Sequence, residues 1–285
     1  MVQEFHYRVS WRAEGYRPGH HLSRRGGGGF EFKGYAPLLA APDPRRLDIH
    51  ASLCDPFEQW MVRVYRQKSS IPVWLIADLS ASMGFAGAVR KIDMLADFAA
   101  SLGYSAYRTG DPFGFIGCDA AVRTDLVSAP THTKGAGMEM ARRLRTLPPV
   151  GRSASGLKEA AQYIGRHRSL VFLASDFHFP AALLEEIVAS LVRHDVVPVV
   201  LWDTAEFARL PRFGIGVVRD SETGRRRTLL LRAALAERIA DRYSARRREL
   251  KRAFVTHGRE PLFIIDRFRA EALTGYFFSG PADAQ

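Results

Sequence analysis

The stretch PVWLIADLSASMGF (72–85) joins an apolar run to a carboxylate and two hydroxyls. Residues 72–77 are almost wholly apolar, the pattern of a strand covered on both faces. Asp78, Ser80 and Ser82 then follow at every second position, so their oxygens leave the strand toward one side.

Outward from it the chain alternates. KIDMLADFAASLGYSAYRTG (91–110) spaces apolar residues for a helix ending at Gly110, and DPFGFIGCD (111–119) and AVRTDLVS (121–128) read as two strands. Residues 133–147 and 153–167 read as helices, SLVFLASD (169–176) as a buried strand, 180–194 as a helix and VVPVVLWD (196–203) as a further strand. GIGVVRD and RRTLLLR flank SETG as a hairpin; a basic helix, the strand PLFIID (261–266) and a short helix near TGYFF complete the series. Apolar strands separated by amphipathic helices imply an α/β fold: one doubly wound, mainly parallel sheet with helices on both faces. Residues 1–65 are expected to form an irregular, Gly- and Pro-rich arm with a lead-in helix starting near Leu47. Residues 66–285 are expected to be the domain, with the hairpin and basic helix near 214–257.

The composition is that of a globular protein, 47% hydrophobic and 25% charged. Cys54 and Cys118 lie far apart, which suggests neither a disulfide framework nor a zinc knuckle. The N-terminus carries charges and no apolar core, unlike a signal peptide, and no apolar run approaches the ~20 residues of a membrane helix. A cytoplasmic location and no membrane partner are expected. Lys and Arg exceed Asp and Glu by 41 to 30, a net +11 that favours acidic partners. The excess concentrates in residues 224–254, where eleven Arg and Lys face only Glu237, Asp241 and Glu249. A solvated helix face is the plainer reading; Arg246, Arg247, Arg248, Lys251 and Arg252 are its candidate partner-binding surface.

In open α/β sheets ligands bind beyond the carboxyl ends of the strands. Three segments bring oxygens there: Asp78, Ser80 and Ser82; Ser153 and Ser155 of GRSASG; and Ser175 with Asp176. Each could simply cap a helix. Together they form a hard-oxygen set suited to Mg²⁺, with Ca²⁺ and Mn²⁺ suiting the same donors.

DLSASM after an apolar strand resembles the DxSxS motif that opens the metal-ion-dependent adhesion site (MIDAS) of von Willebrand factor A-type domains. TGDPFGFIGCD resembles that family's next strand, and LASDF the strand carrying its last acidic ligand. With DPRRLDIHAS upstream, the chain is similar over roughly residues 43–202 to bacterial A-type proteins of unknown function encoded beside MoxR-type AAA+ ATPases. It is also similar to accessory proteins of methanol-oxidation gene clusters. The resemblance implies a von Willebrand factor A-like, Rossmann-type fold. It implies that Ser80 and Ser82 ligate a metal directly, Asp78 directly or through water, and Asp176 as the distant acid. Ser155 aligns with the Thr of the family's Gly-Thr-x-Leu loop, and LLAAPDPRRLDIH lacks the acidic segment usual before the RRxDW motif. A serine hydroxyl has the same coordination chemistry as threonine. The partners so implied are a MoxR-type AAA+ ATPase and an acidic side chain of a partner or client protein. The function so implied is non-enzymatic: a chaperone for maturation or cofactor insertion of a client such as methanol dehydrogenase.

Other classes fit less well. GRSASG has Ser155 where a nucleophile elbow has its last Gly, and no good strand precedes it. Haloacid-dehalogenase-type phosphatases also place an Asp after a strand, which makes a Mg-dependent phosphatase using Asp78 the alternative. Their second Asp, however, is Ser80 here. There is no Walker motif. The arginine-rich segment would suit nucleic acid, but no recognition motif accompanies it. His178, two residues after Asp176, could overhang the site.

Overall fold

The structure is a computed structural model and describes residues 2–13, 18–149, 151–208, 213–219 and 226–278. It divides into two compact units, Val9–Ile71 and a larger one made of Met1–Arg8 with Pro72–Gln285.

In the smaller unit, β1 (Pro18–Pro37) pairs antiparallel with β2 (Met61–Ser69), and α1 (Ile49–Leu53) lies between them in sequence. The expectation of an irregular arm is corrected here. Within residues 18–37 the segments on either side of the glycine run pair with β2, and the run itself bulges out between Gly26 and Glu31, which both lie opposite Arg66. The lead-in helix shrinks to α1, and the segment from Met61 read as helical is β2, so residues 65 and 66 both lie within that strand. Asp48 organises this unit: its carboxylate accepts the Ala51 N–H at 3.0 Å, capping α1, and the Arg63 Nε–H at 2.7 Å.

The larger unit is built on a six-stranded sheet. In chain order come β3 (Val73–Asp78), α2 (Lys91–Thr109), β4 (Phe113–Cys118), β5 (Val122–Thr131), α3 (Ala136–Thr146), α4 (Ala161–Ile164), β6 (Leu170–Ser175), α5 (Ala181–Ser190) and β7 (Asp195–Trp202). The hairpin β8 (Phe213–Arg219) and β9 (Arg226–Arg232) follows, its SETG connection lying outside the described residues, and then α6 (Ala233–Val255), β10 (Leu262–Ile265) and α7 (Ala270–Phe278). The strand order is β10-β7-β6-β3-β4-β5, all neighbours parallel except the β4–β5 edge pair. This is the expected doubly wound, mainly parallel sheet. The helix expected over 153–167 is broken: a 3₁₀ turn at Ser155–Glu159 precedes a short α4.

Both faces of the sheet are covered, which is why every residue of β3, β4 and β6 is buried. Trp74, Ile76, Val171, Leu173 and Val200 pack with Leu184 and Ile187 of α5 and Leu250 and Phe254 of α6. On the opposite face Phe98 of α2 meets Phe172 at 5.6 Å between ring centroids and Phe268 at 5.6 Å, and Phe277 of α7 meets Phe172 at 6.1 Å. Phe5 completes this aromatic cluster, 1% exposed and stacked on Phe98 at 6.3 Å. The first residues of the chain therefore belong to the core of the larger unit.

Chain direction across the sheet reverses beside β3: the chain runs out to β4 and β5, then returns to β6 on the other side. The carboxyl ends of β3 and β6 thus flank the switch point, where α/β sheets form their ligand crevice.

Two outcomes test the role of residues 1–8. Phe5→Ala should cost about 3–5 kcal/mol of stability in urea unfolding, since it empties an aromatic core position. Tyr7 donates its hydroxyl to Asp111 Oδ2 at 2.7 Å, and burial, then the Asp111 charge, hold its pKa well above the ordinary value. A raised folded pKa contributes stability below the unfolded pKa that is lost as pH rises above it, from about pH 10 for tyrosine. Unfolding free energies measured at pH 8 and above pH 10 should therefore fall less steeply in Tyr7→Phe than in the parent chain.

Candidate metal centre at the carboxyl ends of β3 and β6

Asp78 is the last residue of β3 and is fully buried. Its Oδ1 accepts the Ser80 N–H at 2.8 Å, which turns the chain out of the strand, and its Oδ2 accepts the Ser175 hydroxyl at 2.6 Å. The Ala81 N–H then donates to the Gly151 carbonyl at 2.6 Å, and a 3₁₀ turn over Ala81–Gly84 brings the Ser82 hydroxyl to 3.1 Å from that of Ser80.

Across the switch point, Asp176 follows Ser175 at the end of β6 and is 1% exposed. Oδ1 accepts a hydrogen bond from the His178 N–H at 3.1 Å, and Oδ2 accepts one from the Lys91 ammonium at 2.9 Å. The Asp176 carbonyl accepts Trp202 Nε1–H at 2.9 Å. Phe177 is in the left-handed region at φ 54°, a strained conformation for a bulky residue. Arg246 of α6 compensates: Nε and Nη2 donate to the Phe177 carbonyl at 3.2 and 2.8 Å, and Nη2 to the Phe179 carbonyl at 2.7 Å.

Lys91, at the start of α2, is fully buried, with Nζ also 2.5 Å from Glu206 Oε1. Two buried or nearly buried carboxylates, those of Asp176 and Glu206, therefore share one ammonium, and Asp78 lies beside them without touching it. Burial raises Asp78 above the ordinary carboxylate range, and the nearby Asp176 charge adds to the effect. Burial pushes Asp176 the same way, but the Lys91 charge overrides it and holds Asp176 below that range. Asp176 is thus the carboxylate that stays ionised, because it alone of the two sits against a cation.

Of the sequence-derived site residues, Asp78, Ser80, Ser82 and Asp176 come together, and the Ser82 hydroxyl helps to lower Asp176. Ser155 makes different contacts. Its hydroxyl donates to the Ala120 carbonyl at 2.9 Å and its N–H to Ser153 Oγ at 3.1 Å, while the Gly156 N–H donates to the Asp119 carbonyl at 2.9 Å. These bonds stitch the loop to the turn after β4, so closely that a Cβ on Gly156 would meet the Ala121 carbonyl carbon at 2.3 Å. His178 stacks on Trp202 at 6.1 Å, with Nε2 3.2 Å from the Tyr243 hydroxyl.

Lys91 and Glu206 are the members that the sequence reading missed, whereas Ser175, read there as an oxygen donor beside Asp176, instead donates its hydroxyl to Asp78. Lys91 had a legible signal: with Met94, Leu95 and Phe98 it occupies the i, i+3, i+4, i+7 stripe that a helix buries. Glu206 closes a capping box with Asp203 in DTAE, right after β7.

The basic surface divides. Arg246 turns inward as described, and the Arg247 guanidinium lies 4.7 Å from the Phe263 ring centroid. Lys251 pairs with Glu260 at 3.6 Å, whereas Arg248 and Arg252 line a groove of about 530 Å³ between α5 and α6. Among the described residues no helix is long and apolar enough to cross a membrane.

Residues 45–250 match the family model described as Protein of unknown function DUF58. The chain belongs to the DUF58 family. An uncharacterized protein in the moxR 3′ region of Paracoccus denitrificans is 36% identical over 104 residues, 36% of this chain and 99% of that protein. Uncharacterized protein Rv1480 of Mycobacterium tuberculosis is 25% identical over 254 residues, spanning 86% of this chain and 77% of its own length. Among solved structures, an aerotolerance-related membrane protein from Bacteroides fragilis is 15% identical with a TM-score of 0.45, covering 73% of this chain and 96% of that one. The conserved hypothetical protein BatB from Bacteroides thetaiotaomicron gives the same identity and TM-score, with 73% and 97% covered. At that level these structures bear on neither ligand nor partner.

The donor set of this DUF58 protein suits a hard cation. Among the described residues no three His, Cys, Asp or Glu side chains gather as metal ligands. The oxygens at the switch point are instead two carboxylates and the Ser80 and Ser82 hydroxyls, the chemistry that Mg²⁺ accepts alongside water.

The Arg246 clamp gives a direct test of how the Asp176 loop is held. Arg246→Ala should lower stability by about 1–3 kcal/mol, as expected when charged hydrogen bonds to buried carbonyls are lost. Amide hydrogen exchange at Phe177 and His178 should rise above the change measured in β3.

Proposed function

We propose that this DUF58 protein is a non-enzymatic, metal-dependent protein-binding module that works with a MoxR-type AAA+ ATPase. The observation that carries the reading is the convergence of Asp78, Ser80, Ser82 and Asp176 at the topological switch point. Ser80 and Ser82 would hold a Mg²⁺ ion, with Asp78 and Asp176 behind them and Ser155 as the remaining candidate ligand from the neighbouring loop. The ion supplies a positive centre that a carboxylate of a partner protein can reach, a charge-assisted contact strengthened when buried. Ser175 and the Ser80 N–H fix the Asp78 carboxylate, and Arg246 fixes the backbone that presents Asp176.

The ATPase partner is supported by the relative from the moxR 3′ region of Paracoccus denitrificans. In this reading the pair acts as a chaperone, remodelling a client or assisting insertion of its metal or cofactor. Methanol dehydrogenase is one such client. A phosphatase using Asp78 as nucleophile has less support, since that carboxylate is fully buried and each of its oxygens already accepts a hydrogen bond. Nucleic acid has less support as well, because Arg246 and Arg247 are engaged within the fold.

Calorimetric titration with Mg²⁺ or Mn²⁺ should show binding to the parent chain and none to an Asp78→Ala, Ser80→Ala double variant. The MoxR-type ATPase should bind the parent at least ten-fold more weakly after chelation of divalent ions, and the double variant should show no chelation effect. Identical heats for the two chains would sink the metal reading. Turnover of a phosphate ester abolished by Asp78→Asn would replace it with the enzyme.

A further inference from the structure

The carboxyl end of the sheet carries one feature that the proposed metal site does not use: the ammonium of Lys91, fully buried between Asp176 and Glu206. Its Nζ is 2.9 Å from Asp176 Oδ2 and 2.5 Å from Glu206 Oε1, and it lies 5.6 Å from the centroid of the Phe85 ring. Nothing about the sheet requires a lysine here. The rest of the stripe on α2 is apolar, and a buried ion pair contributes little net stability against a well-packed apolar substitute. The three acids come from three adjacent strand ends: Asp78 from β3, Asp176 from β6, and Glu206 from the 3₁₀ turn Thr204–Glu206 after β7. Glu206 is itself held in place. The Asp203 N–H donates to its Oε2 at 3.4 Å, and the turn is tied to the residue just after β10 through Thr204, whose N–H and hydroxyl donate to Asp266 at 2.6 and 2.8 Å.

We infer that Lys91 is a built-in competitor for the divalent cation: its ammonium occupies Asp176, and Glu206 is the anchor that retains it when the cation takes Asp176. The inference rests on the metal reading above and deepens it. Two positive charges cannot share one buried carboxylate without mutual repulsion, so the cation gains Asp176 only as the ammonium shifts its weight to Glu206. Lys91 thereby weakens metal binding, and Glu206 limits how much. The arrangement also keeps Asp176 ionised and oriented in the metal-free protein, so the site does not collapse when the ion leaves.

The two residues should therefore act on metal affinity with opposite sign, which a purely structural role for the ion pair would not produce. The full chain and its Lys91→Met and Glu206→Gln variants are titrated calorimetrically with Mn²⁺, and the melting temperature of each is measured with and without the ion. Lys91→Met should bind Mn²⁺ at least ten-fold more tightly than the parent, and its melting temperature should rise more on adding Mn²⁺. Glu206→Gln should bind several-fold more weakly, because the ammonium then has Asp176 as its remaining carboxylate. Should Lys91→Met fold only when Mn²⁺ is present, that rescue supports the inference. If it stays unfolded in either condition, unchanged or tighter binding by Glu206→Gln overturns the inference. Affinity in Lys91→Met equal to or below that of the parent overturns it while leaving the metal site standing. Heat from Lys91→Met but not from the parent supports Lys91 as the excluding charge and removes the proposed native metal loading. Absence of heat from both chains overturns the metal reading and this inference together.

Discussion

Carboxylates gathered at the buried carboxyl edge of a parallel sheet must each be given a compensating partner, and the larger unit of this protein is arranged around that requirement. Moving a charge from water into a core is unfavourable unless hydrogen bonds or an opposite charge replace its hydration. Asp78 is satisfied by a hydroxyl and a backbone N–H, and Asp176 by a backbone N–H and the Lys91 ammonium. Glu206 completes the set by taking the other side of that ammonium. Through these bonds β3, β6, the turn after β7 and the start of α2 are locked to one another. The serines bordering them are then left facing the switch point.

The same constraint explains the role of α6. Its composition suggests a surface for acidic partners, yet Arg246 is drawn inward by carbonyls that the strained Phe177 backbone leaves without sheet partners. Arg248 and Arg252, one helical turn apart, remain at the groove against α5. One helix thus carries both a clamp on the loop presenting Asp176 and an outward basic edge. A partner reading the basic edge would dock on the helix that holds the candidate metal centre.

Much of the architecture was legible in the linear pattern. VWLIAD, FGFIGC and LVFLAS are unbroken apolar runs because helices cover both faces of the sheet, and such runs identify parallel strands without further information. The alternation of Asp78, Ser80 and Ser82 pointed to the candidate site, since it sends three oxygens out of the end of one buried strand. The small unit was misread for an equally physical reason. The glycine run has turn propensity by itself and is bulged out of β1 between Gly26 and Glu31, both opposite Arg66, while the segments on either side form a strand because β2 lies alongside to pair them.

What the sequence by itself determined is therefore the periodic part: the buried strands, the amphipathic helices, the doubly wound order and the position of the hydroxyls and carboxylates leaving β3 and β6. The tertiary structure alone decided which charges meet. Lys91, Asp176 and Glu206 are separated by 85 and 30 residues along the chain, and no local spacing links them. They are neighbours because β3, β6 and β7 lie side by side and a buried ammonium must sit where carboxylates converge. The same holds for Ser155, whose hydroxyl turns to the Ala120 carbonyl through a loop contact that no local pattern encodes. Periodicity reports burial, which is local in sequence; charge compensation depends on distances that only the folded sheet sets.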